Sequence, residues 1–269
     1  MTLLVIKVGG AFLDDETIST PFFNALQNYQ GELKLVLVHG GGTSVERLLD
    51  DLQLKSEKID GLRITPDTQI DYVVGALAGT VNKHLCAMAS AAGNKSVGLS
   101  LFDGNMTVTT QVSAELGNVG QVKPADNTLL ETLLSGGFLP IINSIGATSQ
   151  GRLMNVNADQ AAVVIAKLLN AKLALLSDVK GVLDDNKNLI EQLNSPQIKQ
   201  LVDAGTIRDG MTVKVNAALE AANTIGQPVT IASWHDINGL LANQASSQSG
   251  CGTMIKPETS QAAENRKVQ

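Results

Sequence analysis

The sequence predicts an α/β fold, a three-layer αβα sandwich in which two lobes share one mostly parallel central sheet. Along the 269 residues, apolar runs of strand length alternate with segments of helical periodicity, as in folds whose parallel strands are joined by helices. The apolar runs are continuous, which indicates strands buried on both faces. Aromatic residues make up only 3% of the chain, so we expect an aliphatic core.

The first half of the chain supplies most of the predicted elements. Apolar runs predict strands at residues 3–8, 33–38, 97–101, 107–112 and 138–145, and residues 152–156 are predicted to form a short strand or a turn. Helical spacing predicts helices at 18–29, 43–52, 65–91 and 129–134. Residues 55–65 predict a hairpin that turns at Asp60 and Gly61. Thr43 or Ser44 is the expected cap of the second helix, and Pro66 suits the first turn of the third.

The second half continues the alternation of helices and strands. It predicts helices at 158–169, 196–204 and 211–225, and strands at 172–176 and 229–231, the latter being the last. No low-complexity linker interrupts the chain, so we expect two lobes that part near residue 170. Residues 1–170 form the N-terminal lobe, residues 171–258 form the C-terminal lobe, and the polar residues 259–269 are expected to fray.

Composition and charge argue against several classes of function. Lys and Arg number 20 and Asp and Glu number 26, so the net charge of −6 lacks the basic footprint of a nucleic-acid-binding protein. No apolar run reaches the ~18 residues that a membrane-spanning helix needs. The two cysteines lie far apart and the three histidines lack ligand spacing, which predicts reduced thiols, a cytoplasmic location and no protein-held metal.

Ligands of open α/β sheets bind beyond the carboxyl ends of the strands, and an unusual lysine lies there. Lys7 is the only charged residue inside the first apolar strand, and Gly9 and Gly10 follow it directly. A buried ammonium group is unfavourable unless it has a partner. One interpretation is a cation held against phosphate, which the glycines allow to approach the backbone. The other is an edge position with the ammonium group in water.

A second candidate site is the run of three glycines, Gly40, Gly41 and Gly42, between a strand and a helix. Their backbone N–H groups and the helix dipole favour an anion at this point. The alternative is a tight strand-to-helix turn without a ligand. Neither the dinucleotide-binding fingerprint nor the P-loop motif occurs in the chain, so the glycines alone are a weak signal.

Further polar residues are candidates for the same site. Arg63 lies in the predicted hairpin, where its guanidinium group either grips a carboxylate or faces solvent. Asn155, Asn157 and Asp159 alternate before a helix, which places them on one side of an extended segment unless one of them caps the helix. Lys214 is predicted in the first turn of a helix, where a cation opposes the dipole and invites a functional reason.

Together, several segments of the chain resemble the amino acid kinase family. They occur in register from residue 3 to about 255, and their combination is far more specific than any one of them. Two of these segments, residues 61–65 and 153–162, resemble the family members that act on N-acetylglutamate. The full set is residues 7–10, 39–42, 61–65, 153–162, 178–182 and 209–211 with Lys214.

The resemblance implies a kinase of arginine biosynthesis. It would transfer the γ-phosphoryl group of MgATP to the side-chain carboxylate of N-acetyl-L-glutamate, giving N-acetyl-L-glutamyl 5-phosphate and ADP. That carboxylate is already ionised at neutral pH, so the reaction needs positioning and charge neutralisation more than a general base. The long N-terminal helical extension of the arginine-inhibited, hexameric members is not seen, so the resemblance implies the short, dimeric, arginine-insensitive form.

The resemblance also implies a role for each matching residue. Lys7 and Lys214 would stabilise the transferring phosphoryl group, and Asp159 would orient both lysines. Gly10, Gly41 and Gly42 would donate backbone N–H groups to the phosphoryl group and the acceptor. Arg63 and Asn155 would hold the α-carboxylate, with the hairpin around Gly61 as a lid. The small-residue helix around residues 75–79 would form the homodimer interface. The residues that would frame the nucleotide are Gly9, Asp178, Val179, Lys180, Gly181, Val182, Leu183, Thr206, Ile207, Arg208 and Met211.

Three other functions remain as alternatives at this stage. Another member of the family would phosphorylate aspartate, glutamate, carbamate or a nucleoside monophosphate, which the pairing of Arg63 with Asn155 disfavours. A non-catalytic ligand sensor with this fold would not need both lysines and Asp159. A nicotinamide-dependent oxidoreductase is disfavoured by the missing dinucleotide-binding fingerprint.

Overall fold

In the computed structural model, which describes residues 2–29, 31–246 and 250–258, an eight-stranded sheet lies between layers of helices. The predicted fold class is confirmed. The strands are β1 (Thr2–Val8), β2 (Leu33–His39), β3 (Lys58–Ile59), β4 (Leu62–Arg63), β5 (Ser96–Leu99), β6 (Thr107–Gln111), β7 (Val119–Pro124), β8 (Leu139–Asn143), β9 (Ile145–Ala147), β10 (Leu153–Val156), β11 (Lys172–Ser177), β12 (Gln192–Leu193), β13 (Val229–Ser233) and β14 (Thr253–Ile255).

The helices follow the predicted alternation with the strands. A π-helical segment, Gly75–Val81, joins two α-helices into one continuous helix over residues 70–91. The α-helices are α1 (Ala11–Asp14), α2 (Glu16–Asn28), α3 (Gly42–Asp51), α4 (Ile70–Val74), α5 (Asn82–Ala91), α6 (Thr128–Ser135), α7 (Ala158–Leu169), α8 (Ser195–Asp203), α9 (Asp209–Ile225) and α10 (Ile237–Ser246).

The order of strands in the large sheet brings the two halves of the chain together. The order is β12-β14-β13-β11-β1-β2-β8-β5, and the pairs are parallel except for β13 with β14. Strands from before residue 170 occupy one side of the sheet and strands from after it the other, with β1 beside β11. The carboxyl ends of these two strands therefore meet at the same edge.

Two apolar layers, one on each face of the large sheet, form most of the core, and a smaller third cluster packs α3 against the helix over residues 70–91. Alternate residues of β1 enter opposite layers: Val5 packs with the layer under α7 and α9, whereas Leu4 and Ile6 pack with the layer under α2 and α5. Burial on both faces was the expectation for continuous apolar strands, and it is confirmed. Phe12, Phe22, Phe23 and Trp234 gather in the second layer, where Phe12 and Phe22 have ring centroids 4.8 Å apart.

Two small sheets flank this core and contribute to the site described below. One has the order β6-β7-β10-β9, and the other is the hairpin of β3 and β4. The hairpin turns at Asp60 and Gly61, whose φ angles of 50° and 79° suit the twist of a two-residue turn. The predicted hairpin is therefore confirmed.

Several predicted boundaries are wrong. The helix expected at 65–91 begins at Ile70, because Thr65 forms a β-bridge with Gly117. The strand expected at 138–145 is two strands in different sheets, β8 and β9, separated by Ser144. The N-cap of α3 is Gly41 without a side-chain hydrogen bond, rather than Thr43 or Ser44.

Some elements were not predicted at all. The strand at 229–231 is not the last, since α10 and β14 follow it, and β7 and the very short β12 were also missed. The predicted frayed tail, residues 259–269, lies outside the described residues. The division into functional lobes near residue 170 remains a prediction.

Candidate active site

Two neighbouring cavities open at the carboxyl edge of the large sheet. The larger, of about 240 Å³, is lined by the glycine loop (residues 40–42), the β3–β4 hairpin and the end of β10. The smaller, of about 90 Å³, is lined by Lys7, Ser177 and Lys214. Asp159 borders both cavities. Most of the predicted catalytic and acceptor-binding residues therefore lie around one divided cleft.

Lys7 lies in the middle of the sheet, with β11 on one side and β2 on the other. The alternative of a solvated edge position is thereby excluded. Its Nζ atom is 2.9 Å from Asp159 Oδ1, and its side chain is 20% exposed. The ammonium group thus has one carboxylate partner and retains access to the smaller cavity.

Lys214 reaches the same cavity from α9. Its Nζ atom donates to Asp178 Oδ1 at 3.2 Å and to Ser177 Oγ at 3.3 Å. The hydrogen bond from Lys214 holds the pKa of Asp178 below its ordinary value. Two details differ from expectation: α9 begins at Asp209, so Lys214 lies in its second turn, and Asp159 contacts Lys7 while Lys214 contacts Asp178.

The glycine loop has both steric and hydrogen-bonding reasons for its composition. A Cβ atom at Gly41 would lie 2.7 Å from Leu77 Cδ2, and one at Gly40 would lie 3.1 Å from the Cβ atom of Ala158. No side chain caps the N-terminus of α3. Backbone N–H groups at a helix N-terminus favour an anion. Gly10 occupies the equivalent position before α1, also without a side-chain cap and with φ of 58°.

His39 supports the glycine loop from within the core. Its Nδ1 atom lies 2.7 Å from the Gly40 carbonyl oxygen, and its Nε2 atom lies 3.0 Å from the Asn82 side-chain nitrogen. Because a carbonyl only accepts, Nδ1 carries the proton and Nε2 accepts from Asn82. Complete burial lowers the pKa of His39 to about 4, so the ring is neutral. The sequence analysis gave His39 no such role.

Arg63 is buried instead of lying on the surface, with a side chain only 7% exposed. Its guanidinium group donates to the Gly42 carbonyl oxygen at 3.1 Å and to Ser56 Oγ, and it forms an ion pair with Glu46. Arg63 is one of the residues that line the larger cavity. This position is compatible with the predicted grip on a carboxylate.

The end of β10 supplies the amide groups of the larger cavity. Asn155 donates from Nδ2 to Thr65 Oγ1 at 3.2 Å, and Thr65 in turn donates to the Arg63 carbonyl oxygen at 2.9 Å. Asn157 caps α7 through hydrogen bonds to two backbone N–H groups. Helix capping by one of Asn155, Asn157 and Asp159 was the alternative to a role in the site. Asn157 does cap the helix, and all three residues also line the larger cavity.

The structure also gathers residues that the sequence analysis missed. Lys58 lines the larger cavity from β3. Asn118, which is buried, donates from Nδ2 to the Thr65 carbonyl oxygen at 3.2 Å and to Asp67 Oδ1 at 2.8 Å. The position of Lys58 beside the turn was a usable signal, whereas a lone Asn118 in a polar loop gives none.

The predicted nucleotide-framing residues differ in what they offer a ligand. Asp178, Lys180, Leu183 and Arg208 are exposed. Gly9 lies beside the Lys7 ammonium group and is partly exposed to solvent.

Other members of this set are part of the core. The side chains of Val182 and Ile207 are only 1% and 2% exposed. Val182 also has its N–H bonded to Thr253 Oγ1 and its carbonyl bonded to Ile190. It therefore shapes the loop without a free group for a nucleotide. Gly181 is buried against the same Thr253, while Val179, Thr206 and Met211 are partly exposed.

Comparison with known proteins identifies the family. The sequence pattern described as the Amino acid kinase family matches residues 2–233. The chain belongs to the amino acid kinase family, as the motifs and the fold indicated.

Curated relatives of the chain define a narrower group. The chain is 52% identical over 242 residues to the acetylglutamate kinase of Proteus mirabilis (strain HI4320), covering 89% of this chain and 94% of that protein. It is also 52% identical over 243 residues to the acetylglutamate kinase of Moritella profunda, covering 90% of this chain and 92% of the relative.

Solved structures share the fold. The smu.665 protein from Streptococcus mutans UA159 has a TM-score of 0.75 and 29% identity, covering 94% of this chain and 98% of that chain. N-acetylglutamate synthase from Neisseria gonorrhoeae, complexed with coenzyme A and N-acetyl-glutamate, has a TM-score of 0.78 at 23% identity over 96% of this chain and 60% of that one. At such identity, the second similarity is one of fold alone.

Proposed function

We propose that the chain transfers the γ-phosphoryl group of MgATP to the side-chain carboxylate of N-acetyl-L-glutamate, the step of arginine biosynthesis catalysed by an acetylglutamate kinase. The observation that carries the proposal is the divided cleft, in which two lysines border one cavity and Arg63 with Asn155 line the next. The relatives named acetylglutamate kinase support this choice of acceptor.

The reaction requires a carboxylate to approach a polyanion, and the cleft supplies positive charge for it. Lys7 and Lys214 neutralise the charge on the transferring phosphoryl group from β1 and α9. Backbone N–H groups of the glycine loop and of Gly10 hold its oxygens. Asp159 holds the Lys7 ammonium group in place and does not act as a base, because the acceptor is already ionised.

The acceptor and the nucleotide occupy different lobes in this proposal. Arg63 and Asn155, in residues 1–170, bind the α-carboxylate, and the hairpin covers it. Residues 171–258 bind ATP along the loops that carry Asp178 and Arg208.

Magnesium enters this scheme with the nucleotide. The part of the chain that the structure describes contains no group of three or more His, Cys, Asp or Glu side chains suited to a metal. The cleft carboxylates of Asp159 and Asp178 are each paired with a lysine. The residues therefore fit a Mg²⁺ ion held mainly by phosphate oxygens and water. Bound there, the ion neutralises phosphate charge.

We further propose a homodimer that acts in the cytoplasm. The helix over residues 70–91 exposes Tyr72, Gly75 and Gly79, and small residues at such positions let a second helix approach closely. The use of ATP and the two free thiols, Cys86 and Cys251, support the location. In the described residues, no helix has the length and apolarity needed to cross a bilayer.

An assay of ADP release over several acceptors tests the proposed function. The acceptors are N-acetyl-L-glutamate, glutamate, aspartate, carbamate and UMP, and the Lys7→Ala protein prepared in the same way controls for contaminating kinases. We expect ADP release to depend on N-acetyl-L-glutamate alone. Stimulation by another acceptor, or by none, contradicts the proposal.

A further inference from the structure

We propose that Glu46 is a positioning residue for the acceptor: it fixes Arg63 from behind, so that the guanidinium group presents its free face to the α-carboxylate. Glu46 belongs to α3, one turn after the glycine loop, and was not among the residues expected from the sequence. The inference rests on the proposed function, because it concerns how Arg63 selects that acceptor.

Contacts with the protein hold the Arg63 guanidinium group on several sides. The guanidinium group is held by three groups of the chain: the Glu46 carboxylate, Ser56 Oγ and the Gly42 carbonyl oxygen. Glu46 also lies 3.8 Å from Lys58 Nζ. The Glu46 carboxylate therefore ties both strands of the hairpin to α3. A long, flexible arginine side chain is fixed in one orientation by these contacts.

The partners of Arg63 differ in their position relative to the larger cavity. Arg63, Gly42 and Lys58 line the larger cavity, whereas Glu46 and Ser56 do not. The Glu46 carboxylate thus does not occupy the place of a ligand. Glu46 contacts Nη2, which also donates to the Gly42 carbonyl oxygen, while Nη1 donates to Ser56 Oγ. In the proposal, Nε and the second N–H group of Nη1 are assigned to the acceptor.

Arg63 is buried, and its positive charge is paired with the negative charge of Glu46. With a side chain 7% exposed, Arg63 is largely removed from water, and a buried charge without a partner is strongly unfavourable. The hydrogen bond from Arg63 holds the pKa of Glu46 below its ordinary value, so the carboxylate is ionised at neutral pH. Loss of this charge leaves Arg63 free to turn towards solvent.

The test compares two acceptors that differ only in the α-carboxylate. N-acetyl-L-glutamate carries it, and 4-acetamidobutanoate lacks it while keeping the reacting carboxylate and the acetamido group. For Glu46→Gln, we expect kcat/KM for N-acetyl-L-glutamate to fall about tenfold or more, chiefly through KM. We expect the value for 4-acetamidobutanoate, or its Ki as an inhibitor where turnover is too slow, to change less than about twofold.

Asp50→Asn is the matched control, because Asp50 is exposed on the same helix and the substitution removes the same charge. We expect wild-type kinetics for it with both acceptors. Should Glu46→Gln not fold, Glu46→Asp keeps the charge on a shorter side chain, and we expect about a threefold loss for N-acetyl-L-glutamate alone.

Three results overturn the inference: an unchanged KM for N-acetyl-L-glutamate, a lowered KM, which would make Glu46 a competitor for Arg63, or an equal loss with both acceptors, which would make its role purely structural. If the wild-type chain releases no ADP with N-acetyl-L-glutamate, the proposed function fails instead. The two failures are therefore distinguishable.

Discussion

At the residue scale, the chemistry depends on two ammonium groups held at the border of one small cavity. Lys7 is fixed by Asp159 and Lys214 by Asp178 and Ser177. Both lysines have partners within the protein, so the chain itself sets their positions. Such preorganised charges act most strongly on charge that develops in the transition state.

We therefore expect Lys7→Ala and Lys214→Ala each to lower kcat by about two orders of magnitude or more, with a smaller change in KM. Steady-state ADP release at saturating ATP and acceptor measures both constants. Lys95→Ala is the control, since Lys95 is an exposed lysine just before β5, at the opposite edge of the sheet. Near-normal kcat in either cleft variant removes that lysine from the catalytic role.

Arg63 is expected to act on binding more than on turnover. Arg63→Lys keeps the charge but removes the planar fork that matches a carboxylate, so we expect KM for N-acetyl-L-glutamate to rise about tenfold or more while kcat changes less. Initial-rate measurements over a range of acceptor concentrations provide the test. An unchanged KM would show that Arg63 does not bind the acceptor.

The residues that sequence reasoning found are those that break a local pattern. Lys7 stands out as a charge in an apolar run, and Gly40 to Gly42 stand out as consecutive glycines. Glu46, Thr65 and Asn118 do not, because polar residues in a helix or loop are ordinary until their partners are known. Their roles arise from contacts between segments distant in sequence, such as Asn118 with Thr65.

At the element scale, the continuous helix over residues 70–91 supports the glycine loop. Leu77 and Val81 of its π-helical segment lie against Gly41, and Asn82 holds His39. Helix 65–91 was predicted from the sequence as an uninterrupted run, but neither its π-helical segment nor its contact with the loop was visible there. The predicted start was wrong because pairing of Thr65 with Gly117 competes with helix formation.

The close packing of the glycine loop against the helix over residues 70–91 gives a steric prediction. Gly41→Ala places a Cβ atom 2.7 Å from Leu77 Cδ2 and 3.3 Å from Val81 Cγ2, so the loop or these side chains must shift. Because a displaced loop misplaces its N–H groups, we expect kcat to fall about tenfold or more. Leu77→Ala in the same chain removes the clash, and the double variant should recover part of the lost activity. A double-mutant cycle in kcat measures this coupling. Strictly additive losses would mean that Leu77 does not position the loop.

His39 joins β2 to the same helix and gives a pH prediction. Burial lowers its pKa from 6.5 to about 4 in the folded chain, so the unfolded chain binds the proton more readily between these values. The contribution of His39 to stability is complete above about pH 6.5 and is lost as the pH falls towards 4.

Urea unfolding of the wild-type chain and His39→Gln at about pH 7.5 and about pH 4.5 measures this effect. We expect the free energy of unfolding of the wild type, relative to the variant, to decrease by on the order of 2 kcal/mol at the lower pH. The same difference at both pH values would contradict a neutral, buried His39.

At the scale of the whole molecule, an acidic chain binds anions through local geometry. The net charge of −6 gives no general attraction for a nucleotide or a dicarboxylate. The order of strands places β1 beside β11, and α9 comes later in the chain. Lys7 and Lys214 therefore line the same small cavity, although 207 positions separate residue 7 from residue 214. Arg63 and the N-terminus of α3 add positive potential to the same cleft.

The fold class was predictable because it depends on periodicity and on continuous apolar runs, both of which are local. The strand order was not, because nothing in an apolar run states which neighbour it pairs with. The late strand β14 was missed for a related reason. It has three residues, and its formation depends on pairing with β13 and β12. Short strands carry too little pattern to be recognised alone.

The central claim is that the phosphoryl group is transferred to the side-chain carboxylate of N-acetyl-L-glutamate. An acyl phosphate reacts with hydroxylamine to give a hydroxamate, so trapping reports the product directly. The chain is incubated with MgATP, N-acetyl-L-glutamate and hydroxylamine, and the hydroxamate is identified by mass spectrometry beside the ADP formed. We expect the side-chain hydroxamate of N-acetyl-L-glutamate in equal amount to ADP; ADP without hydroxamate, or neither product, would contradict the account.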